Sequence, residues 1–170
     1  FKHAVLARLI EYLKRKEAAF RVIDTHAGIG LYDLSSPEAA KTGEWIEGVG
    51  RLIASDLPEP AAALLEPFLS VVRVYVDGGR LTAYPGSPML ARHLIRRQDR
   101  LSLCELHPAD HEQLAEQFKG DFQVRVMHLD GWLVPGAHLP PKEKRGLVLI
   151  DPPFEQPDEF ARLVDALQKG

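Results

Sequence analysis

The stretch Phe20-Arg-Val-Ile-Asp24-Thr-His26-Ala-Gly28-Ile-Gly30 decides the fold. It opens with a short β-branched run that ends in an acid, and the glycines that follow are typical of a tight turn. This pattern predicts a buried strand that leads into a loop. In open α/β sheets, ligands bind at the carboxyl ends of the strands, and glycines there let the backbone approach a ligand closely. The residues expected to lie at a nucleotide-like cofactor are Asp24, His26, Gly28 and Gly30.

The same loop argues against a dinucleotide cofactor. A dinucleotide-binding fingerprint would place a third glycine at position 33, where this sequence has Asp33. No helix start is cleanly placed to hold a pyrophosphate. A plain turn after the strand remains the alternative interpretation, since a short glycine motif is a weak signal.

Three further apolar runs have the length and composition of buried strands: residues 101–105, 124–128 and 146–151. Patterns typical of helices cover residues 3–17, 87–99, 107–118 and 158–167. Strands that alternate with helices predict a parallel sheet covered on both faces. The predicted fold is therefore α/β, a Rossmann-like, doubly wound and mostly parallel sheet.

The middle of the chain interrupts this alternation. Its Ala-, Glu- and Pro-rich segment, residues 35–68, predicts a helical insertion. The expected cap, first helical position and breaks are Ser36, Pro37, Pro58, Pro60 and Pro67. Residues 71–84 favour a hairpin around Asp77-Gly78-Gly79, although their first part could equally end a helix. We expect a catalytic domain of residues 1–34 and 84–170 and an inserted, mainly helical subdomain of residues 35–83.

Composition and charge limit the class of protein that the chain can belong to. The chain has 170 residues, 45% of them hydrophobic, which suits one ordinary core. It has no apolar run long enough for a membrane span, no secretory segment and a single cysteine, Cys104. We therefore expect a cytoplasmic protein that makes no membrane contact. As a separate expectation, the protein is a monomer. A net charge of −3 means that any contact with a nucleic acid must be local. The sequence lacks an initiating Met and begins inside a predicted helix, so we expect truncation at both ends.

The most specific motif is Asp151-Pro152-Pro153-Phe154, directly after the last predicted strand. The exocyclic amine of adenine is a weak nucleophile because its lone pair is delocalised into the ring. The Asp151 carboxylate and the Pro152 carbonyl could draw out that lone pair by accepting hydrogen bonds. Asp151 would also take or relay the released proton, and Phe154 would stack on the extruded base. The alternative is a proline-stiffened loop with an exposed aromatic.

A second carboxylate, Glu105, ends the second predicted strand. A carboxylate at this place in a nucleotide-binding sheet accepts hydrogen bonds from ribose hydroxyls. The alternative is an acid that caps the helix begun by Pro108. The apolar run before Glu105 favours the first interpretation, because it places the residue at the edge of the sheet where ligands bind.

These motifs resemble those of a known family. Asp151-Pro-Pro-Phe154 is similar to the signature of amino-directed methyltransferases, and Asp24-Thr-His-Ala-Gly-Ile-Gly30 is similar to their cofactor loop. Tyr84-Pro-Gly-Ser-Pro88 and Glu105-Leu-His-Pro108 narrow the match. Together they resemble the RlmJ family, bacterial enzymes that methylate N6 of an adenine in 23S ribosomal RNA. The resemblance covers nearly the whole chain.

The resemblance implies a class I methyltransferase with S-adenosyl-L-methionine as cofactor, ribosomal RNA as partner and no metal. It implies that Asp151 is the catalytic residue, aided by Pro152 and Phe154, with Lys2, Pro153 and Phe154 facing the substrate. The residues that match cofactor-lining positions are Lys2, His3, His26, Ser87, Glu105, Asp130 and Gly131. The family's His-rich amino terminus and last strands have no counterpart here.

Two other functions stay open at this point. A DNA adenine-N6 methyltransferase would share the catalytic tetrapeptide, and a catalytically silent module could bind RNA or a nucleotide through the same pocket.

The sequence also contains two weaker signals. The basic residues Arg92, Arg96, Arg97 and Arg100 predict a helix face that contacts phosphates or is simply solvated. His107 and His111 have no evident third metal ligand, so we interpret them as surface histidines.

Overall fold

The computed structural model describes residues 1–36, 43, 45–154 and 158–169. The strands are β1 (Arg21–Asp24), β2 (Leu31–Asp33), β3 (Val76–Asp77), β4 (Arg80–Leu81), β5 (Ala83–Pro85), β6 (Arg100–Glu105), β7 (Val124–His128) and β8 (Gly146–Leu149). The α-helices are α1 (Lys2–Lys14), α2 (Arg51–Ala54), α3 (Glu59–Arg73), α4 (Ser87–Leu94), α5 (Pro108–Gln117), α6 (Val134–His138) and α7 (Glu159–Lys169). A π-helical turn, Ile46–Gly50, precedes α2, and a 3-10 turn, Gly131–Leu133, precedes α6.

Four strands form a parallel sheet in the order β7-β6-β1-β8. In this sheet Val22 of β1 lies opposite Leu101 of β6 on one side and Leu147 of β8 on the other. Numbered along the chain, the strand order is 3-2-1-4, so its direction reverses between β1 and β8. The predicted parallel α/β fold is confirmed. Ligands of such sheets bind beyond the carboxyl ends of the strands at this reversal point.

Helices cover both faces of the sheet. Val22, Leu101 and Leu103 are buried on one face with apolar residues of α1, α3, α4 and α5. Ile23 and Cys104 are buried on the other face, packed with Val134 of α6. Neighbouring residues of a strand point to opposite faces, so an uninterrupted apolar run suits a strand that is buried on both. This is why the strand positions could be predicted from the sequence.

The helix α3 packs into the same core, against α1, through Phe68, Leu69, Val71 and Val72. The predicted helix break at Pro67 is wrong, because α3 continues through this residue and four buried side chains hold the turn that follows. Pro58 and Pro60 do not break a helix but begin one, since the first helical turn needs no internal N–H donors. The helix predicted to begin at Pro37 lies outside the described residues.

For residues 71–84 the sequence left open a hairpin or the end of a helix, and the structure contains both. Residues 71–73 end the helix, and β3 then pairs with β4 in a short antiparallel hairpin around Gly78 and Gly79. A second antiparallel pair, β2 with β5, was not predicted. It brings together two segments that lie about fifty residues apart. The division into a catalytic domain and an inserted subdomain remains a prediction.

The predicted basic helix face is wrong. Helix α4 ends at Leu94, so of the basic residues only Arg92 lies on it, and its guanidinium pairs with Asp121. The Arg96 side chain donates to the Asp99 carboxylate at 2.9 Å and to the carbonyl of Lys16 at 2.9 Å. These guanidinium groups therefore hold the fold together. No helix in the described part of the chain is long and apolar enough to cross a membrane.

Candidate active site

Two adjacent cavities open where the carboxyl ends of the sheet strands meet. The first, of about 610 Å³, is here called the Glu105 cavity, and its lining includes Thr25, Glu105, Asp130, Gly131, Trp132 and Arg162. The second, of about 530 Å³, is here called the Asp151 cavity, and its lining includes Lys2, His3, Tyr32, Tyr84, Ser87 and Asp151. His26 lines both cavities and therefore stands between them.

The loop after β1 fixes the position of Glu105. Gly28 has a φ of +65°, a left-handed conformation that favours glycine, and a Cβ at this position would lie 2.5 Å from the Tyr32 hydroxyl. In this conformation the Gly28 N–H donates to Oε2 of Glu105 at 2.8 Å. The N–H of His107 donates to Oε1 at 2.8 Å. Two main-chain donors thus hold the carboxylate, and each oxygen keeps a lone pair for a ligand.

The far wall of the Glu105 cavity is built from the segment after β7. The Asp130 carboxylate accepts from the N–H of Trp132 at 3.0 Å, and its other oxygen lies 3.6 Å from the Arg162 guanidinium. Arg162 lies over the Trp132 ring at 4.8 Å. Gly131 packs so closely that a Cβ would lie 2.1 Å from the carbonyl oxygen of Thr25. The cavity therefore combines an aromatic wall, three carboxylates, which are those of Glu105, Asp130 and Glu159, and one guanidinium.

Asp24, at the end of β1, lines neither cavity and is almost completely buried, with 1% of its surface exposed. Its Oδ1 accepts from the N–H of His26 at 3.3 Å. Oδ2 has no hydrogen-bond partner among the described residues. Burial raises the pKa of Asp24 to about 6. A buried acceptor without a partner is costly, so the folded chain would gain free energy if a donor reached Oδ2.

The Asp151 cavity brings together residues from the two ends of the chain. The Lys2 ammonium pairs with the Asp151 carboxylate. His3 follows Lys2 on α1, and burial, together with the nearby charge of Lys2, lowers the pKa of His3 to about 4. The imidazole is therefore neutral near pH 7. One anion, one cation and a neutral ring surround a space large enough for part of a substrate.

The rest of the proline motif lies at the rim. Pro152 is buried, and Pro153 lines the Glu105 cavity. Phe154 is 45% exposed and has a φ of +56°, a left-handed conformation that is uncommon for an aromatic residue. Its ring lies 5.0 Å from that of Phe160, between ring centroids. The turn thus holds Phe154 outward, where a planar group could stack on it.

The structure brings most of the predicted site residues together. His3, His26, Ser87, Glu105, Asp130, Gly131 and Asp151 line the two cavities, as do Lys2 and Pro153. Asp24, Gly28, Gly30, Pro152 and Phe154 do not line either cavity. Gly30 instead packs on α5, where a Cβ would lie 3.0 Å from Leu114. Sequence reasoning gave no role to Tyr32, Tyr84, Trp132 or Arg162, although Tyr84 opens the quoted stretch Tyr84-Pro-Gly-Ser-Pro88.

The two histidines four residues apart do not form a pair with each other. His111 stacks on His128 with 4.8 Å between ring centroids, and His107 lies 3.4 Å from the Asp110 carboxylate. Within the described residues, no group of three or more His, Cys, Asp or Glu side chains could hold a metal ion.

The strand order and the glycine loop define a Rossmann-like α/β fold, and the Asp-Pro-Pro-Phe turn after β8 is the motif that resembles those of amino-directed methyltransferases. A family model described as "Ribosomal RNA large subunit methyltransferase D, RlmJ" matches residues 17–170. The chain belongs to this RlmJ family.

Named relatives agree with this assignment. The chain is 44% identical to "Ribosomal RNA large subunit methyltransferase J" of Escherichia coli K12 and 46% identical to the protein of the same name from Haemophilus influenzae. Each alignment covers 99% of this chain and 59% of the relative, so the chain spans about three fifths of the length of these proteins. It also resembles the crystal structure of protein LPL1258 from Legionella pneumophila, with a TM-score of 0.88 and 38% identity over 99% of this chain and 61% of that one.

Proposed function

We propose that this chain carries the cofactor-binding and catalytic part of an S-adenosyl-L-methionine-dependent enzyme that methylates N6 of an adenine in 23S ribosomal RNA. The proposal rests on one observation. Asp151, which follows β8, lines one cavity, and Glu105, at the end of β6, lines the adjacent cavity with lone pairs free to bind a ligand. A methyl donor and an acceptor amine could thus meet at the boundary between the cavities, beside His26. The names of the curated relatives support ribosomal RNA as the substrate.

The residues present fit the cofactor. Glu105 would accept hydrogen bonds from the ribose hydroxyls, and Asp130 with Gly131 would meet the adenine. The unpartnered Oδ2 of Asp24 suits an ammonium donor such as that of the methionine part. When bound, the cofactor supplies the methyl group from its sulfonium.

The residues around Asp151 would activate the amine. The Asp151 carboxylate and the Pro152 carbonyl accept hydrogen bonds from N6, which draws the lone pair out of the ring towards the methyl group. Asp151 then takes or relays the proton that N6 releases as the new N–C bond forms. Lys2 pairs with Asp151 and so fixes its orientation. Phe154 provides the aromatic surface on which the extruded base stacks.

We also propose the domain division given by the sequence. All four strands of the parallel sheet lie in residues 21–24 or 100–149, outside the segment 35–83. That segment, where described, contributes helices and one short hairpin. Its helix α3 packs on α1 and would thereby support the helix that carries Lys2 and His3.

The first test is calorimetric titration of the full-length protein with S-adenosylhomocysteine, the product that should fill the cofactor site without turnover. We expect binding by the wild type and a loss of about tenfold or more in Glu105→Ala, since both ribose hydrogen bonds are removed. The matched control is Glu116→Ala on α5, an exposed acid paired with Lys119. Equal binding by all three proteins would contradict the assignment of Glu105.

The second test is transfer of a labelled methyl group. We expect methylation of protein-free ribosomal RNA and none of duplex DNA. Methylation of DNA instead would establish the alternative DNA enzyme. Tight binding of S-adenosylhomocysteine by the full-length protein, with no transfer to either nucleic acid, would indicate a catalytically silent module.

A further inference from the structure

A tyrosine without an assigned role forms a hydrogen bond to a histidine in the Asp151 cavity. Tyr84 lies on β5, and its hydroxyl is 2.6 Å from Nδ1 of His3 on α1. The two rings also stack, with centroids 5.6 Å apart and planes inclined by 23°. Both side chains line the Asp151 cavity. The antiparallel pairing of β5 with β2 fixes the position of Tyr84, with Tyr32 directly opposite.

Both partners of this hydrogen bond are neutral. Burial lowers the pKa of His3 to about 4 and raises that of Tyr84 to about 12. A neutral imidazole carries one proton, which resides on either Nδ1 or Nε2. If Nδ1–H donated to Tyr84, the tyrosine proton would have no acceptor among the described residues. A phenol is also a stronger hydrogen-bond donor than a neutral imidazole N–H, and the imidazole nitrogen is the stronger acceptor, so the tyrosine donates to Nδ1.

The other ring nitrogen of His3 remains available. Nε2 has no hydrogen-bond partner among the described residues. Because it is not fully enclosed by other atoms, it reaches the cavity. With the tyrosine as donor, Nε2 carries the proton and presents an N–H to any ligand there. The ammonium of Lys2, the preceding residue, is already paired with Asp151. An N–H donor that faces the cavity therefore needs an acceptor from a ligand, and an ionised acceptor forms the stronger hydrogen bond.

We propose that Tyr84 is a positioning residue that holds the proton of His3 on Nε2, so that His3 donates a hydrogen bond to the carboxylate of the methionine part of the bound cofactor. This inference rests on the proposed function. The carboxylate is the only ionised acceptor in S-adenosyl-L-methionine. Its ammonium has a separate proposed acceptor in Oδ2 of Asp24, which has no partner among the described residues.

The test compares Tyr84→Phe with a matched control elsewhere in the fold. Tyr75 also hydrogen-bonds a histidine, with its hydroxyl 3.0 Å from Nε2 of His93, and neither residue lines the two cavities. Tyr75→Phe therefore removes the same kind of bond without touching the site. Both substitutions keep the ring and its packing, so unfolding is not an expected outcome of either.

The probes are S-adenosylhomocysteine, which carries the carboxylate, and 5′-methylthioadenosine, which lacks the whole amino-acid part. In the full-length protein we expect Tyr84→Phe to weaken S-adenosylhomocysteine binding about tenfold and to leave 5′-methylthioadenosine binding unchanged. Tyr75→Phe should change neither. Equal losses for both ligands, or no loss for either, would overturn the proposal, since only the first ligand has the group that His3 is proposed to bind.

Long-range proton–nitrogen NMR of the imidazole reports the tautomer independently of any ligand. We expect His3 of the free wild-type protein to be protonated on Nε2 and to lose this single form in Tyr84→Phe. Protonation on Nδ1 in the wild type would overturn the proposal. A wild type that binds no S-adenosylhomocysteine would instead contradict the proposed function, whereas normal wild-type binding with an unchanged Tyr84→Phe would contradict the role of Tyr84 alone.

Discussion

The parallel sheet carries charged groups at its amino-terminal edge, where the strands begin, and at its carboxyl edge, where they end. The groups at the first edge have hydrogen-bond partners within the chain, whereas some at the second lack one among the described residues. At the amino-terminal edge, the Arg21 guanidinium donates to both oxygens of Glu143 at 2.8 Å. The Asp99 carboxylate there, which is fully buried, accepts from Arg96 and from the N–H of Phe20. At the carboxyl edge, by contrast, Asp24 is as deeply buried and keeps an oxygen without a partner in the described part of the chain. The groups at the amino-terminal edge thus make their hydrogen bonds within the chain, whereas the groups at the carboxyl edge leave acceptors for a ligand.

This difference separates stabilising carboxylates from those that bind or react. A buried carboxylate costs free energy unless its hydrogen bonds are satisfied, and the amino-terminal edge meets this condition within the chain. A site that binds a ligand must leave some of its polar groups unpaired until the ligand arrives. Substitutions at the amino-terminal edge should therefore affect stability, and substitutions at the carboxyl edge should affect activity or even raise stability.

The largest expected effect is that of Asp151→Ala on catalysis. Removing the carboxylate removes one acceptor for N6 and the proton acceptor, so we expect the methyl-transfer rate to fall by about a thousandfold or more. Because the carboxylate acts on the base, S-adenosylhomocysteine affinity should change by less than about threefold. Labelled-methyl transfer and calorimetry measure the two quantities. Asp77→Ala, in the exposed hairpin, is the control, and a wild-type rate in Asp151→Ala would refute the assignment.

At the amino-terminal edge, Asp99→Ala should be strongly destabilising. The substitution leaves the Arg96 guanidinium and the Phe20 N–H without their acceptor, and breaking a buried ion pair in this way costs about 3–5 kcal/mol. Urea unfolding would measure the loss. Glu66→Ala breaks the exposed pair with Arg73 and should cost less than about 1 kcal/mol. Equal losses in the two variants would mean that burial of the pair is unimportant.

Asp24→Asn should stabilise the protein near neutral pH. The raised pKa of Asp24, about 6, means that the folded state binds its proton more tightly than the unfolded chain does. Stability therefore falls as pH rises from about 4 to about 6, and asparagine removes this penalty. We expect a gain of about 1–3 kcal/mol at pH 7 and a much smaller gain at pH 4, measured by urea unfolding at both values.

The same variant should bind the cofactor less well, because an amide is a weaker acceptor for an ammonium than a carboxylate is. Calorimetry with S-adenosylhomocysteine would show this loss. A variant that is less stable than the wild type at pH 7 would mean that Oδ2 of Asp24 does have a stabilising partner, and the contrast between the two edges would then fail.

The smallest expected effect is that of Glu143→Gln, and its pH dependence has the opposite sign. Hydrogen bonds from Arg21 lower the pKa of Glu143, so its contribution to stability is present above the ordinary glutamate pKa and is lost as pH falls through the lowered value. The two side chains are 21% and 12% exposed, which limits the expected cost at pH 7 to about 1–2 kcal/mol. Thermal unfolding at pH 7 and at about pH 3 would test whether the difference from wild type disappears in acid.

The sequence predicted the elements better than their contacts. The four sheet strands lie within about two residues of the expected positions, because each is a short apolar run bounded by polar or glycine residues. The end of α4 at Leu94 was missed, since the arginines that follow continue a helical spacing. Beyond this end, Arg96 bonds to Asp99, three residues further on, and to the carbonyl of Lys16, 80 residues earlier. The second of these contacts leaves no local signal.

By itself, the sequence determined that Asp24, Glu105 and Asp151 would share one edge. Each follows a buried strand, and parallel strands end at the same side of a sheet. Only the tertiary structure decided what surrounds these carboxylates. The strand order puts β1 between β6 and β8, which places His26 between two cavities, and packing brings Tyr84 to His3. Local pattern fixes a strand and its end, whereas contacts between distant segments depend on how both faces of the sheet are filled.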